Sequence, residues 1–147
     1  MFTLNPEKLI GREFLRSVVA AAENPEETSV SDPDTSLEVM PTDQLLRLIE
    51  SSAYDLINPH LEKGYRTVGV SMSFRHFAPV PSGYLVTATL KLQAIEGRKC
   101  SFEFHVADEV EIVCRGTYAN HIVDLIPFRD AVAGKAARRV EFRIAIA

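Results

Sequence analysis

The stretch "MPTDQLLRLIESSAYDLINPH", residues 40–60, predicts a helix that is buried along one side. At about 100° per residue, one stripe of this helix collects the apolar side chains Leu45, Leu46, Ile49, Ala53, Leu56 and Ile57. The other side carries the polar residues Asp43, Arg47, Ser51, Asp55 and Asn58. Pro41 precedes the helix, Pro59 stops it, and Thr42 is of a type that favours the N-cap. Glu50 stands at the edge of the apolar stripe, and this position raises the question of what a carboxylate does there.

Two different segments precede the helix. "GREFLRSVVAAA" (11–22) is apolar enough for a first strand, although its alanines leave a helix open. "ENPEETSVSDPDTS" (23–36) is rich in proline, serine and acids, which is typical of a long surface loop. Loops of that length inside a compact domain tend to be lids or binding loops. We therefore expect residues 23–38 to form a lid-like segment beside Thr42.

The sequence beyond the helix changes to a period of two. This alternation predicts long antiparallel strands at 67–77, 84–95, 100–107 and 110–125. Tight turns are expected between them. In the first strand the alternation places on one face Val68, Val70, Met72, Phe74 and His76. The tail leaves two options, because "RRVEFRIAIA" alternates like a last strand whereas "DAVAGKAA" before it favours a helix. One helix against a run of antiparallel strands predicts an α+β layer architecture.

Composition and charge exclude several classes of protein. The 147 residues suit a single domain (1–147), and 46% hydrophobic with 24% charged residues is ordinary for a soluble globular chain. A net charge of -4 gives no general attraction to nucleic acid or to anionic lipid. No apolar run reaches the roughly 18 residues of a membrane span, and the N-terminus lacks the layout of a signal peptide. With only Cys100 and Cys114 as thiols, we expect a cytoplasmic protein without nucleic-acid or membrane partners.

Four residues carry a resemblance to a known family. Thr42 lies at the helix entry, Glu50 eight residues on, Gly69 in the next strand and His76 at its end. Set in this order of elements, the spacing Thr-x7-Glu-x25-His resembles the hotdog-fold acyl-CoA thioesterases, and more narrowly the fluoroacetyl-CoA thioesterase-like family. The phrase "FRHFAPVPSGYLVTATLKLQAIEGRKCSFEFHVADEVEIVCRGTYANHIV" (74–123) extends the resemblance.

The resemblance runs from about Val39 to Phe128, with "PVPSG" and Gly116-Thr117 as matching framework. It implies a hotdog fold, in which an antiparallel β-sheet wraps around one central α-helix. It also implies a homodimer, or a tetramer of such dimers, with active sites at the dimer interface. The implied substrate is an acyl-CoA thioester, hydrolysed without a metal or other cofactor.

The same resemblance implies catalytic roles for Thr42, Glu50 and His76 and a substrate-binding role for Gly69, which allows the substrate to approach closely. The sequence departs from the family in two places. "DPDTSLEVMP" before Thr42 lacks the aromatic residues of a bulky lid over a tiny acyl group, so fluoroacetate specificity is not expected. "GKAARRVEFRIAIA" at the C-terminus is longer than the family pattern needs.

Thioester hydrolysis needs a nucleophile or an activated water, and stabilisation of the oxyanion. Glu50, at the edge of a buried stripe, would be partly desolvated and thereby a stronger base. His76 continues an apolar strand face, and Thr42 offers a hydroxyl where the helix dipole favours negative charge. We expect the three groups to converge at the helix mouth. Taken singly, an N-cap explains Thr42, a salt bridge or solvated flank explains Glu50, and a structural role explains His76.

Other functions stay open at this stage. A non-catalytic acyl-CoA-binding or sensing module, a hotdog hydratase and a purely structural dimer are the alternatives, although the Asp and His motif of the hydratases is not visible. The remaining histidines lack metal-ligand spacing, so zinc is not expected. Because CoA is polyanionic, we expect a local basic patch, and the candidates are Arg66, Arg75, Arg98, Lys99 and Arg115.

Overall fold

The computed structural model describes residues 4–21 and 38–146, and side chains as far as Arg139. A short helix α1 (Pro6–Leu9) is followed by strand β1 (Glu13–Val19) and the long helix α2 (Thr42–Ile57). A single 3₁₀ turn (Asn58–His60) then leads into the remaining elements, which are β2 (Tyr65–His76), β3 (Leu85–Glu96), β4 (Lys99–Ala107), β5 (Ile112–Asp124) and α3 (Leu125–Ile146). The first strand and the four that follow α2 are confirmed.

The five strands form one antiparallel sheet in the order β1-β3-β4-β5-β2. Tight turns join β3 to β4 and β4 to β5, whereas β2 pairs with β5 and forms one edge of the sheet. One face of the sheet packs against α2, and this layer of one long helix on one antiparallel sheet confirms the predicted α+β fold.

The buried face of α2 is wider than the predicted stripe. Its buried residues are Leu45, Leu48, Ile49, Ser52, Ala53, Leu56 and Ile57, so Leu48 and Ser52 belong to it and Leu46 is only half-buried. The Ser52 hydroxyl is compatible with the core because it donates a hydrogen bond to the Leu48 carbonyl at 2.5 Å. Strands of the sheet contact α2 across a broad arc, which buries residues on both flanks of the predicted line.

A β-bulge in β2 makes the predicted face of this strand partly wrong. The register with β5 shifts between Gly69 and Ser71, so that Gly69 pairs with Asn120 while Met72 pairs with Tyr118. The one extra residue reverses the alternation N-terminal to it. Val70 is therefore 48% exposed instead of facing the core. From Met72 to His76 the predicted face holds, since Met72 and His76 lie opposite the buried Tyr118 and Cys114, but Phe74 between them is 39% exposed.

The C-terminal tail is a helix, and the alternative of a last strand is wrong. α3 continues directly from β5, and its alanines at 131, 133, 136 and 137 favour helix over strand. Its described side chains beyond Leu125 are exposed, including Ile126, Phe128 and Val132. None of the helices within the described ranges is both long and apolar enough to cross a membrane.

Candidate active site

Thr42 and His76 meet at the N-terminal end of α2. The Thr42 Oγ1 lies 3.0 Å from His76 Nδ1, which is a hydrogen bond between residues 34 apart in the chain. The N-cap prediction for Thr42 is wrong, because Pro41 is the cap residue and Thr42 is the first residue of the helix. Its hydroxyl therefore turns away from the helix backbone and towards the end of β2.

The other ring nitrogen of His76 is an unused group. Nε2 is buried and has no hydrogen-bond partner among the residues that the structure describes. Where Nδ1 accepts from the Thr42 hydroxyl, the ring proton lies on Nε2, which is then a donor. A carbonyl or oxyanion brought to Nε2 would supply the missing acceptor. His76 and Thr42 thus form a polar pair that is prepared for a further oxygen atom.

Glu50 does not join this pair within one chain. Thr42 and Glu50 are eight residues apart on the same helix, which separates them by about 12 Å along its axis. For a single chain, the prediction that all three groups converge therefore holds for Thr42 and His76 but not for Glu50. Glu50 is also exposed there, so its expected partial desolvation is wrong for a lone subunit.

The neighbour of Glu50 on the sheet is Tyr118 of β5. Burial, together with the smaller effect of the negative charge of Glu50, raises the pKa of the Tyr118 phenol to about 12. Tyr118 is 5% exposed and its ring packs on that of Phe102, with centroids 5.9 Å apart. At neutral pH the phenol keeps its proton and is a hydrogen-bond donor. Sequence reasoning missed this residue, because it read β5 only as a framework strand.

Gly69 adjoins the same tyrosine. A Cβ atom at position 69 would lie 2.7 Å from the Tyr118 hydroxyl, closer than real Cβ atoms come to their neighbours. The missing side chain therefore makes room for the hydroxyl, and this close packing is one reason for a glycine inside the strand. Gly69 itself is exposed, so solvent reaches the space beside the hydroxyl.

Asn120 completes this second polar group. It pairs with Gly69 in the register of β2 and β5, and it is 1% exposed. Its Oδ1 is buried without a hydrogen-bond partner among the described residues. Only the register of β2 against β5 brings Asn120 to Gly69, and the bulge hides that register from a sequence pattern.

The basic candidates do not form one patch. Arg75 and Arg115 are neighbours on the outer face of the sheet, directly opposite each other in β2 and β5. Arg66 donates to the Tyr54 hydroxyl at 2.6 Å, and Arg98 donates to the Ile122 carbonyl at 3.2 Å. Lys99 lies opposite Glu96 in the register of β4 and β3, beside the turn that joins these strands.

The described residues include no group of three or more His, Cys, Asp or Glu side chains that could hold a metal ion. Cys100 and Cys114 are free and buried, and burial raises the pKa of both thiols, that of Cys100 to about 11.

The predicted lid, residues 23–38, lies outside the described residues except for Glu38.

The sheet and its helix define the class of this protein. The crystal structure of a hot-dog-like protein from Thermanaerovibrio acidaminovorans superimposes with a TM-score of 0.79 over 88% of this chain and 95% of that one, at 21% identity. The fold is therefore the hotdog fold that the family resemblance implies.

The family follows from closer relatives. The sequence model of the fluoroacetyl-CoA-specific thioesterase family matches residues 24–125. The fluoroacetyl-CoA thioesterase of Streptantibioticus cattleyicolor is 31% identical over 98 residues, which are 67% of this chain and 70% of the relative. A solved structure of a fluoroacetyl-CoA thioesterase aligns with a TM-score of 0.75 at 27% identity, over 86% of this chain and 96% of that one. A variant of such an enzyme, solved with fluoroacetate and CoA, aligns at 0.71 with 27% identity, over 81% and 98%. The chain belongs to this family of thioesterases, which are hydrolases acting on thioesters.

Proposed function

We propose that the protein hydrolyses a small or medium acyl-CoA thioester to the free acid and CoA. Glu50 is the base or the nucleophile, and Thr42 and His76 hold the reacting carbonyl. The observation that carries this proposal is the 3.0 Å Thr42–His76 contact at the end of α2, with His76 Nε2 still lacking a partner among the described residues. The CoA-bound relative supports CoA as the carrier of the acyl group.

Stabilisation of the oxyanion and attack on the carbonyl are assigned to different residues. An Nε2–H donor and the first-turn N–H groups of α2 suit the oxyanion that forms when the thioester carbonyl is attacked. The carboxylate of Glu50 either attacks the carbonyl itself or removes a proton from an attacking water. In both routes the thiolate of CoA leaves and water supplies the hydroxyl of the acid.

We further propose a homodimer whose active sites lie between subunits. The helix separates Glu50 from Thr42 by about 12 Å along its axis, which favours a carboxylate from another subunit for a thioester held by Thr42 and His76. The long edge strand β2 exposes Val70 and Phe74 by 48% and 39%, and Phe77 directly after it is 47% exposed. A second copy would cover these side chains. In such a dimer Glu50 of the partner subunit completes the site, and substrate between subunits would desolvate it.

A hydrolysis screen across acyl-CoA chain lengths, measured as free thiol, tests the proposal. We expect turnover with small and medium acyl groups and no special preference for fluoroacetyl-CoA. Binding of acyl-CoA without thiol release would contradict it and favour a sensing module instead. Sedimentation of the protein as a monomer at micromolar concentration would contradict the dimer.

A further inference from the structure

Two polar side chains of β5 flank Gly69, and neither belongs to the Thr42–His76 pair. The Tyr118 hydroxyl fills the space in which a side chain at Gly69 would stand. Asn120 lies opposite Gly69 in the neighbouring strand. Residues two apart on a strand share a face, so Tyr118 and Asn120 both point towards α2.

Among the described residues, the side-chain oxygen of Asn120 lacks a hydrogen bond in a place where polar groups are normally paired, and the Tyr118 hydroxyl beside it is also unused. No hydrogen bond between the described residues uses the Tyr118 hydroxyl, and Asn120 Oδ1 is buried without a partner among them. Buried polar atoms are paired in the great majority of proteins, and an exception calls for an absent partner. Because Gly69 is exposed, a ligand can reach this point from solvent.

The chemistry of the two groups is complementary to an amide. A protonated phenol donates one hydrogen bond, and the Oδ1 of an asparagine accepts one. A secondary amide offers one carbonyl acceptor and one N–H donor, whereas a simple acyl thioester offers no donor at all. In an acyl-CoA the amide of the pantetheine arm nearest to the sulfur is separated from it by only an ethylene link, so it lies beside the reacting group.

We propose that Tyr118 and Asn120 bind this pantetheine amide, with the Tyr118 hydroxyl donating to its carbonyl oxygen and Asn120 Oδ1 accepting from its N–H. The assignment rests on the proposed function, because it requires a CoA thioester as substrate. It places the pantetheine arm along β5 past Gly69, within reach of Glu50 on the helix above.

Three thioesters of one acyl group separate this role from others. Acyl-CoA and the acyl N-acetylcysteamine thioester both carry the amide, and an acyl S-pentyl thioester has the same chain length without it. We expect the parent protein to prefer the N-acetylcysteamine ester to the S-pentyl ester. Tyr118→Phe and Asn120→Leu should each lower kcat/KM for the two amide-bearing esters about 5-fold to 10-fold, mainly through KM, and leave the S-pentyl ester unchanged. Tyr84→Phe removes a phenol hydroxyl just before β3 and should change none of the three rates.

Other outcomes overturn the assignment. Equal rates of the parent protein with the two short esters would show that the amide is not bound. Equal losses on all three esters would place the hydroxyl at the acyl carbonyl, and no loss in either variant would remove both residues from the site. If Asn120→Leu does not fold, Tyr118→Phe alone decides, since it deletes one oxygen. A parent protein that hydrolyses no acyl-CoA contradicts the proposed function instead, whatever the two variants do.

Discussion

The N-terminal end of α2 and its middle differ in whether the polar side chains there have hydrogen-bond partners within one chain. At the N-terminal end, Thr42 and His76 are already joined by a hydrogen bond within one chain. In the middle, Glu50 is exposed, and the Tyr118 hydroxyl and Asn120 Oδ1 have no hydrogen-bond partners among the described residues. One chain thus joins only part of the predicted site by itself, and in the proposed dimer the remaining groups would meet a second subunit and a substrate.

The largest effect should follow from removing the carboxylate of Glu50. Glu50→Gln keeps the shape of the side chain but abolishes the base or nucleophile, so we expect acyl-CoA hydrolysis to fall by about 10²-fold or more. Because Glu50 is exposed in the chain, the change should alter the free energy of unfolding by less than about 0.5 kcal/mol. Parental turnover in this variant would make Glu50 an ordinary helix flank.

The Thr42–His76 pair should matter next. We expect His76→Ala to lower kcat about 10-fold to 10²-fold, since the donor at Nε2 disappears. Thr42→Ala should cost about 10-fold through lost orientation of the imidazole, and Thr42→Ser should cost less because the hydroxyl survives. Single-turnover kinetics of the three variants provide the measurement. A serine variant as slow as the alanine variant would contradict the role of this hydroxyl.

The contact at Gly69 predicts an effect on stability. Gly69→Ala forces its methyl group against the Tyr118 hydroxyl, and we expect a loss of about 1–3 kcal/mol in the free energy of unfolding. Adding Tyr118→Phe should restore most of it, because the ring atoms next nearest to that Cβ position lie at 3.5 Å, an ordinary contact. Gly134→Ala in α3 meets nothing within 4 Å and is the control. Urea unfolding that finds the two changes strictly additive would show that no such contact exists.

The smallest effect concerns alkaline pH. The pKa of Tyr118 is raised from 10.0 to about 12, mainly by burial, and that of Cys100 from 9.0 to about 11 by burial. Both groups hold their protons more tightly when folded, so their stabilisation is complete below pH 9 and is lost as pH rises towards 11 and 12. We expect Tyr118→Phe to lose stability less steeply than the parent above pH 10. Equal slopes in thermal melts across this range would contradict a buried phenol.

Much of the fold could be predicted because it depends on periodicity. The 3.6-residue period of α2 and the two-residue period of the strands are local properties of the sequence. The bulge at Gly69 could not be read in this way, since one extra residue is meaningful only against the register of β5. Val70 was misplaced for that reason, and Asn120 was overlooked.

The candidate site, like the fold, has features that could be predicted from the sequence and features that could not. Spacing and resemblance named Thr42, Glu50, Gly69 and His76, but the contact of Thr42 with His76 joins elements that only tertiary folding brings together. The separation of Glu50 from Thr42, in contrast, was present in the sequence, because eight residues of helix have a fixed length. The partnerless groups of Tyr118 and Asn120 could not be foreseen, since a missing partner is visible only when all neighbours are in place.

Mixing two impaired variants tests most directly whether the site is shared between subunits. Glu50→Gln and His76→Ala proteins are combined, dissociated and allowed to reassociate at equal concentration. In a shared site, each mixed dimer carries one pair of intact Glu50 and His76, so about a quarter of the parental acyl-CoA hydrolysis should return. Each variant treated alone is the control and should keep only its own residual activity, which is about a tenth of the parental rate or less. If mixed dimers form and no activity returns, Glu50 and His76 act within one chain, which would contradict the account.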